Sequence, residues 1–236
     1  MCGRFIQTSP GQDMQDQFGL LEEPELTPRY NIAPTQMVAV VRFDQETTVK
    51  QFEMLKWGLV PFWAKDASIG PRLINARCET IGQKPAYRAA FKSRRCLIPT
   101  NGFYEWMKEK EKKQPYLIRL ADESLFAFAG LWEHWKGPDG STIESCTVIT
   151  TEANDLLRPI HDRMPVIISR KDYDSWLNPE MLCQETFQSL ILPYPSHEMV
   201  FFPVNPKVNR ATYDNPDCIE PVLRAESDTQ SHSSID

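Results

Sequence analysis

The amino-acid sequence predicts an α+β fold, mostly antiparallel strands with helices at the periphery. Three observations carry that expectation. Alternating or continuous β-type runs recur along the chain, helical patterns are fewer and short, and neither an internal repeat nor a linker divides the 236 residues. One domain is therefore expected over residues 1–224, followed by an acidic tail at 225–236.

Taken in order, Gln12–Phe18 has a short helical pattern. Met37–Phe43 and Lys50–Val60 are β-type runs, followed by the proline-bounded connection Pro61–Pro71, a loop of the kind that carries sites. Ala86–Lys92 is amphipathic, and Pro85 before it suits a helix start. Strands are expected at Leu117–Leu120, Leu125–Trp135, Cys146–Thr151, Pro165–Ser169 and Val200–Val204. Thr151 is placed to cap a helix through Leu157 that Pro159 ends, and Ser169 to cap another that stops near Asn178-Pro179. Glu185–Ile191 completes the helices. The segment Ala225–Asp236 is rich in Ser and Asp, lacks aromatics, and is expected to be disordered.

A hydrophobic content of 41% and a charged content of 25% suit a soluble globular protein. No apolar run approaches a membrane span, and the N-terminus shows no signal-peptide pattern, so a cytoplasmic or nuclear protein is expected. The six cysteines include no C-x-x-C pair, which argues against a zinc site or a disulfide framework; Cys78, Cys96 and Cys146 are expected as small buried hydrophobes. The net charge of −6 argues at first against a nucleic-acid partner. However, residues 214–236 carry six acids and one arginine, a net of −5, leaving −1 for the rest. The cations Arg88, Lys92, Arg94 and Arg95 have no acid between them, a pattern that by itself suits a solvated helix face.

Position 2 is where the chemistry starts. Removal of Met1 before a small residue would leave an N-terminal cysteine, whose α-amine and thiol sit on adjacent carbons. The amine titrates near about 8 and the thiol near about 8.5, so both are available near neutrality. Two reactions follow. The thiol attacks an acyl carbon with the amine as base, or the amine attacks an aldehyde to give an imine on which the thiol closes a thiazolidine. Other polar residues stand in apolar or loop settings. Glu105 lies between aromatics, where desolvation favours a general acid. His161 precedes the apolar run Val166-Ile167-Ile168, and Asn75 follows Leu73-Ile74 as an orienting amide. Each has a structural alternative: Glu105 paired with Lys108 or an arginine, His161 at a helix end, Asn75 capping a turn.

Six segments occur in a distinctive order: Met1-Cys2-Gly3-Arg4-Phe5, Tyr30-Asn31-Ile32-Ala33-Pro34, Trp57-Gly58-Leu59-Val60-Pro61, Asn75-Ala76-Arg77, Gly102-Phe103-Tyr104-Glu105-Trp106 and His161-Asp162-Arg163-Met164-Pro165. Together, from Cys2 to about Leu223, they resemble the SRAP (SOS response-associated peptidase) family. The resemblance implies a single SRAP-like domain with a barrel-like sheet. It implies a sensor of abasic sites in single-stranded DNA that crosslinks to the lesion through Cys2 in the DNA damage response, with possible lyase activity. It maps catalytic roles onto Cys2, Asn75, Glu105 and His161, and DNA contacts onto Arg4, Asn75, Arg77 and Arg163. Phe62 and Trp63 stand where bacterial relatives often have two tryptophans, so base stacking there is expected to be weakened and not abolished. A monomer without cofactor, metal or membrane partner is expected. The alternative reactions are a thiol (auto)peptidase built on Cys2, His161 and Glu105, and a class II glutamine amidotransferase, whose chains also begin Met-Cys-Gly. A non-enzymatic single-strand-binding module is the remaining alternative.

Overall fold

The computed structural model describes residues 2–44, 46–109, 112–180 and 182–222. Met1 and the expected disordered tail at 225–236 lie outside the described residues. Among the described residues thirteen strands form two sheets. They are β1 (Phe5–Gln7), β2 (Arg29–Ile32), β3 (Met37–Phe43), β4 (Lys50–Trp57), β5 (Asn75–Arg77), β6 (Arg95–Thr100) and β7 (Gly102–Glu109). Then come β8 (Lys112–Leu120), β9 (Phe126–Lys136), β10 (Thr142–Glu152), β11 (Arg163–Pro165), β12 (Ile167–Ile168) and β13 (Met199–Pro203).

One sheet has the order β13-β8-β7-β1-β2 and is antiparallel throughout. In the other, β10-β4-β3-β6-β9 closes on itself because β9 also pairs with β10, giving a five-stranded barrel. Two pairings are parallel, β4 and β5, both against β10. The expected α+β fold with a mainly antiparallel, barrel-like sheet is therefore the observed one.

Alternation along β3 divides the interior in two, as a period of two dictates. Val38 and Val40 pack with Leu55, Trp57, Ile98, Phe128 and Val148, and this core also takes in Cys2, Phe5, Phe103 and Ile118 from the five-stranded sheet and its lead-in. Ala39 and Val41 face a second core closed by helices. There α1 (Gly11–Phe18) contributes Met14 and Phe18, one turn apart, and ends on Gly19 in the left-handed region at φ +66°. Three shorter helices, α2 (Arg88–Ser93), α3 (Tyr173–Leu177) and α4 (Gln184–Leu190), complete the periphery. Cys78, Cys96 and Cys146 are buried as expected, and all six cysteines are free.

Several expectations need correction. No helix runs from Thr151 to Leu157. The β-branched run around Thr147–Thr151 continues β10, and Thr151 pairs with Met164 of β11. Capping occurs three residues later, where Asn154 Oδ1 accepts from Leu157 N at 3.0 Å, and only turns follow. The strand expected at Pro165–Ser169 is two short ones, β11 on β10 and β12 on β9. The basic stretch is not a uniform solvated face. Arg95 is buried, donating to the carbonyls of Trp176, Phe91 and Lys92 at 2.8, 2.8 and 3.1 Å, while Arg94 pairs with the buried Glu133 at 3.0 Å. Arg88 and Lys92 remain exposed.

Candidate active site

Cys2 enters the space between the two sheets because the segment that follows it is β1. Phe5 of β1 pairs with Ile32 on one side and Phe103 on the other, and its ring meets Trp57 edge-on at 5.1 Å. The Cys2 side chain is fully buried. Its thiol lies 3.7 Å from the Arg4 carbonyl, to which it donates. Burial pushes the thiol well above the ordinary cysteine range, and the nearby Glu105 carboxylate pushes it the same way.

Asn75 reaches Cys2 from the other sheet. Its Nδ2 donates to the Cys2 carbonyl at 2.8 Å. The parallel pairing of Asn75 with Val148 sets its position on β5. The Ile74 carbonyl beside it accepts from both Val148 N and Trp57 Nε1, at 3.0 and 2.9 Å. Tyr87 OH donates to the Asn75 carbonyl at 3.0 Å, and burial raises that phenol to about 12, so it remains a donor at neutral pH.

Glu105 sits on β7 opposite Tyr116 of β8 and is 5% exposed, buried as its aromatic flanks suggest. With His161, Trp106, Lys113 and Asn209 it lines a cavity of about 470 Å³. His161 Nδ1 accepts from Arg163 N at 3.0 Å, so the neutral ring carries its proton on Nε2. The Asp162 carboxylate 2.9 Å from the same Nδ1 pairs with the ring when it is protonated.

The predicted DNA-contacting residues divide into two groups. Arg77 is exposed on β5, where Ala76 beside it is buried, and Phe62 and Trp63 are 56% and 49% exposed. Those exposures rule out core packing for the aromatic pair. Their loop leaves the barrel at Gly58, where φ is +128° and an added Cβ would stand 2.8 Å from the Gly70 carbonyl oxygen; the close approach needs glycine. The other two arginines already have internal partners. Arg4 Nη1 donates to Asn31 Oδ1 at 2.7 Å and to the Val208 carbonyl at 2.8 Å. Arg163 forms a two-pronged pair with Glu79 and donates to the Thr150 carbonyl at 2.7 Å.

Sequence reasoning did not single out Lys113, Asn209 or Trp106 as cavity residues, although Trp106 closes one of the six motifs. Trp106 Nε1 donates to Asn209 Oδ1 at 2.7 Å. Asn31 belongs to the second of the six motifs. It is fully buried, and its amide donates to the carbonyls of Val208, Arg210 and Tyr213 at 3.1, 3.0 and 2.6 Å. It thereby binds the C-terminal segment to β2 and holds the cavity wall that carries Asn209. Its partners lie about 180 residues away, so no local pattern announces them. Among the described residues no group of three His, Cys, Asp or Glu gathers to hold a metal ion, and no helix is long and apolar enough to cross a membrane.

Residues 1–211 match the family model described as SOS response associated peptidase (SRAP). The chain is 42% identical over 224 residues to abasic site processing protein YoqW of Bacillus subtilis, covering 93% of this chain and 99% of that one. It is 43% identical over 213 residues to abasic site processing protein YoaM of the same organism, covering 89% and 93%. A solved protein from Bacteroides thetaiotaomicron superposes with a TM-score of 0.84 at 24% identity, over 94% of this chain and all of that one, which speaks for the fold alone. The chain belongs to the SOS response associated peptidase family.

Proposed function

We propose that this chain processes abasic sites in single-stranded DNA, by a covalent thiazolidine link through Cys2 after Met1 is removed. The observation that carries the proposal is the junction at Cys2. Asn75 of one sheet holds its main chain, the Glu105 carboxylate of the other lies near enough to act on its thiol electrostatically, and an open cavity lined by Glu105 and His161 adjoins them. The names of the Bacillus subtilis relatives supply the substrate class.

The ring-opened abasic sugar presents an aldehyde at C1′. The Cys2 α-amine adds to it, and loss of one water leaves an imine. The thiol then adds across the C=N bond; sulfur bonds to carbon and the thiol proton ends on nitrogen. Closure to the five-membered ring removes the imine before β-elimination can nick the strand. Asn75 fixes the residue that carries both nucleophiles. Glu105 moves the proton in ring opening and in reversal, and His161 protonates the departing hydroxyl. Arg77 supports the flanking phosphates, with Arg4 and Arg163 ordering the segments on either side and contributing positive charge. Phe62 and Trp63 stack on bases beside the gap.

A thiol peptidase working through the same Cys2 is the competing use of the site. A peptidase needs the Cys2 thiolate, which burial of the thiol disfavours, whereas attack by the amine does not. Incubating the purified chain with an oligonucleotide carrying one abasic site tests the proposal. A complex that survives denaturation is expected, absent for Cys2→Ala and for intact DNA. Equal crosslinking by Cys2→Ala would refute it. Loss of Met1 in the purified protein without an aminopeptidase would instead favour self-cleavage.

A further inference from the structure

The loop after the aromatic pair places Lys65, Asp66 and Arg72, which the chemistry above does not use, around Trp63. Trp63, Lys65, Asp66 and Arg72 line a cavity of about 270 Å³. Lys65, Asp66 and Arg72 are exposed, and Trp63 is half-exposed. The loop is nonetheless fixed. Trp135 Nε1 donates to the Ala64 carbonyl at 2.8 Å, Trp63 Nε1 to the Pro85 carbonyl at 3.2 Å, and Leu59 N to the Leu73 carbonyl at 3.2 Å. Arg72 stands three residues before Asn75, whose side chain touches Cys2. Three residues span at most about 11 Å of chain, so the Arg72 backbone lies within that distance of Asn75.

We infer that this cavity is a flanking-phosphate subsite, in which Lys65 and Arg72 neutralise the backbone of the single strand whose base stacks on Trp63. The inference rests on the proposed single-stranded DNA substrate. An aromatic face beside two cations is the combination that binds a single strand irrespective of its sequence. Asp66 is the opposing feature. Its Oδ1 accepts from Ser68 N at 2.8 Å and caps the turn that follows. That hydrogen bonding lowers its carboxyl below the usual range, so it is charged at neutral pH beside the phosphate path and weakens binding. The subsite thus holds DNA with a damped positive charge.

Fluorescence anisotropy with an intact single-stranded oligonucleotide, read across a salt series, tests this on the full chain. The Lys65→Gln/Arg72→Gln variant is expected to bind about tenfold more weakly at low salt. Its log–log salt slope should be shallower by about 1.4, because two phosphate contacts on a single strand are lost at about 0.7 each. Asp66→Asn is expected to bind severalfold more tightly, since asparagine caps the turn as well as aspartate and only the charge is lost. All three changed side chains are on the surface, so melting temperatures should stay near wild type. A wild-type affinity and slope in the double variant would overturn the subsite, as would weaker binding by Asp66→Asn or no binding of intact DNA by the wild type. Wild-type crosslinking with an unaltered slope in the double variant removes the subsite and leaves the proposed function standing. A salt-sensitive wild type that binds yet never crosslinks does the reverse.

Discussion

As the proposed nucleophile, Cys2 joins two demands that conflict in most proteins, a group that must react and a side chain fully buried in a core. In the proposed reaction the α-amine resolves the conflict, because attack by nitrogen needs no thiolate. Asn75 then matters through one bond, its amide to the Cys2 carbonyl at 2.8 Å. Asn75→Ala should slow crosslinking roughly tenfold, the effect of losing a hydrogen bond worth about 1–1.5 kcal/mol. Asn75→Asp should be no better, since a carboxylate cannot donate; gel-based rates at saturating DNA would check both, and a wild-type rate in either would remove Asn75 from the mechanism. Phe62 and Trp63 act at the same scale. Replacing either by alanine should weaken binding to intact single strands by about 1–3 kcal/mol, measured by anisotropy. An unchanged affinity would mean that these exposed rings stack on nothing.

At the scale of elements, the site is held by pieces that meet across long stretches of sequence. Glu79, just after β5, binds Arg163 of β11 through two hydrogen bonds, and those bonds hold its carboxyl below the usual range. A depressed carboxylate contributes stability above its unfolded pKa of about 4.3 and loses it as pH falls through the lower folded value. Glu79→Gln should therefore be less stable than wild type at neutral pH. Glu79 is half-exposed, so the deficit should be about 1 kcal/mol or less, and it should vanish in acid. Urea melts at neutral and acid pH would show it, and a deficit independent of pH would contradict the assignment. The sequence foretold β3 in full and most of β9, because each is a long run of apolar residues. It did not foretell a strand at Gly102–Glu109, where charged and polar residues interrupt the pattern. It also misread Thr151 as a helix cap. A threonine followed by Glu152 and Ala153 has the local chemistry of a cap, and it became a strand because β11 was available to pair with it.

For the molecule as a whole, the barrel and the five-stranded sheet meet at the N-terminus, with Cys2 packed into the core they share. Four catalytic candidates could be named from sequence because their motifs stand in a characteristic order. Their mutual placement could not, since it depends on β5 lying parallel to β10 and on Asn31 binding a segment about 180 residues away. The near neutrality of residues 1–213 leaves room for local positive charge such as that of Arg77, and the acidic residues concentrate after position 213. The central claim is that Cys2 joins DNA through both its nitrogen and its sulfur, and intact mass of the crosslinked product tests it most directly. The product should weigh the chain without Met1 plus the abasic oligonucleotide minus one water, form without a reductant, and gain no hydrogen on borohydride treatment. A linked chain that retains Met1, or a product that borohydride reduces by two hydrogens, would contradict the account.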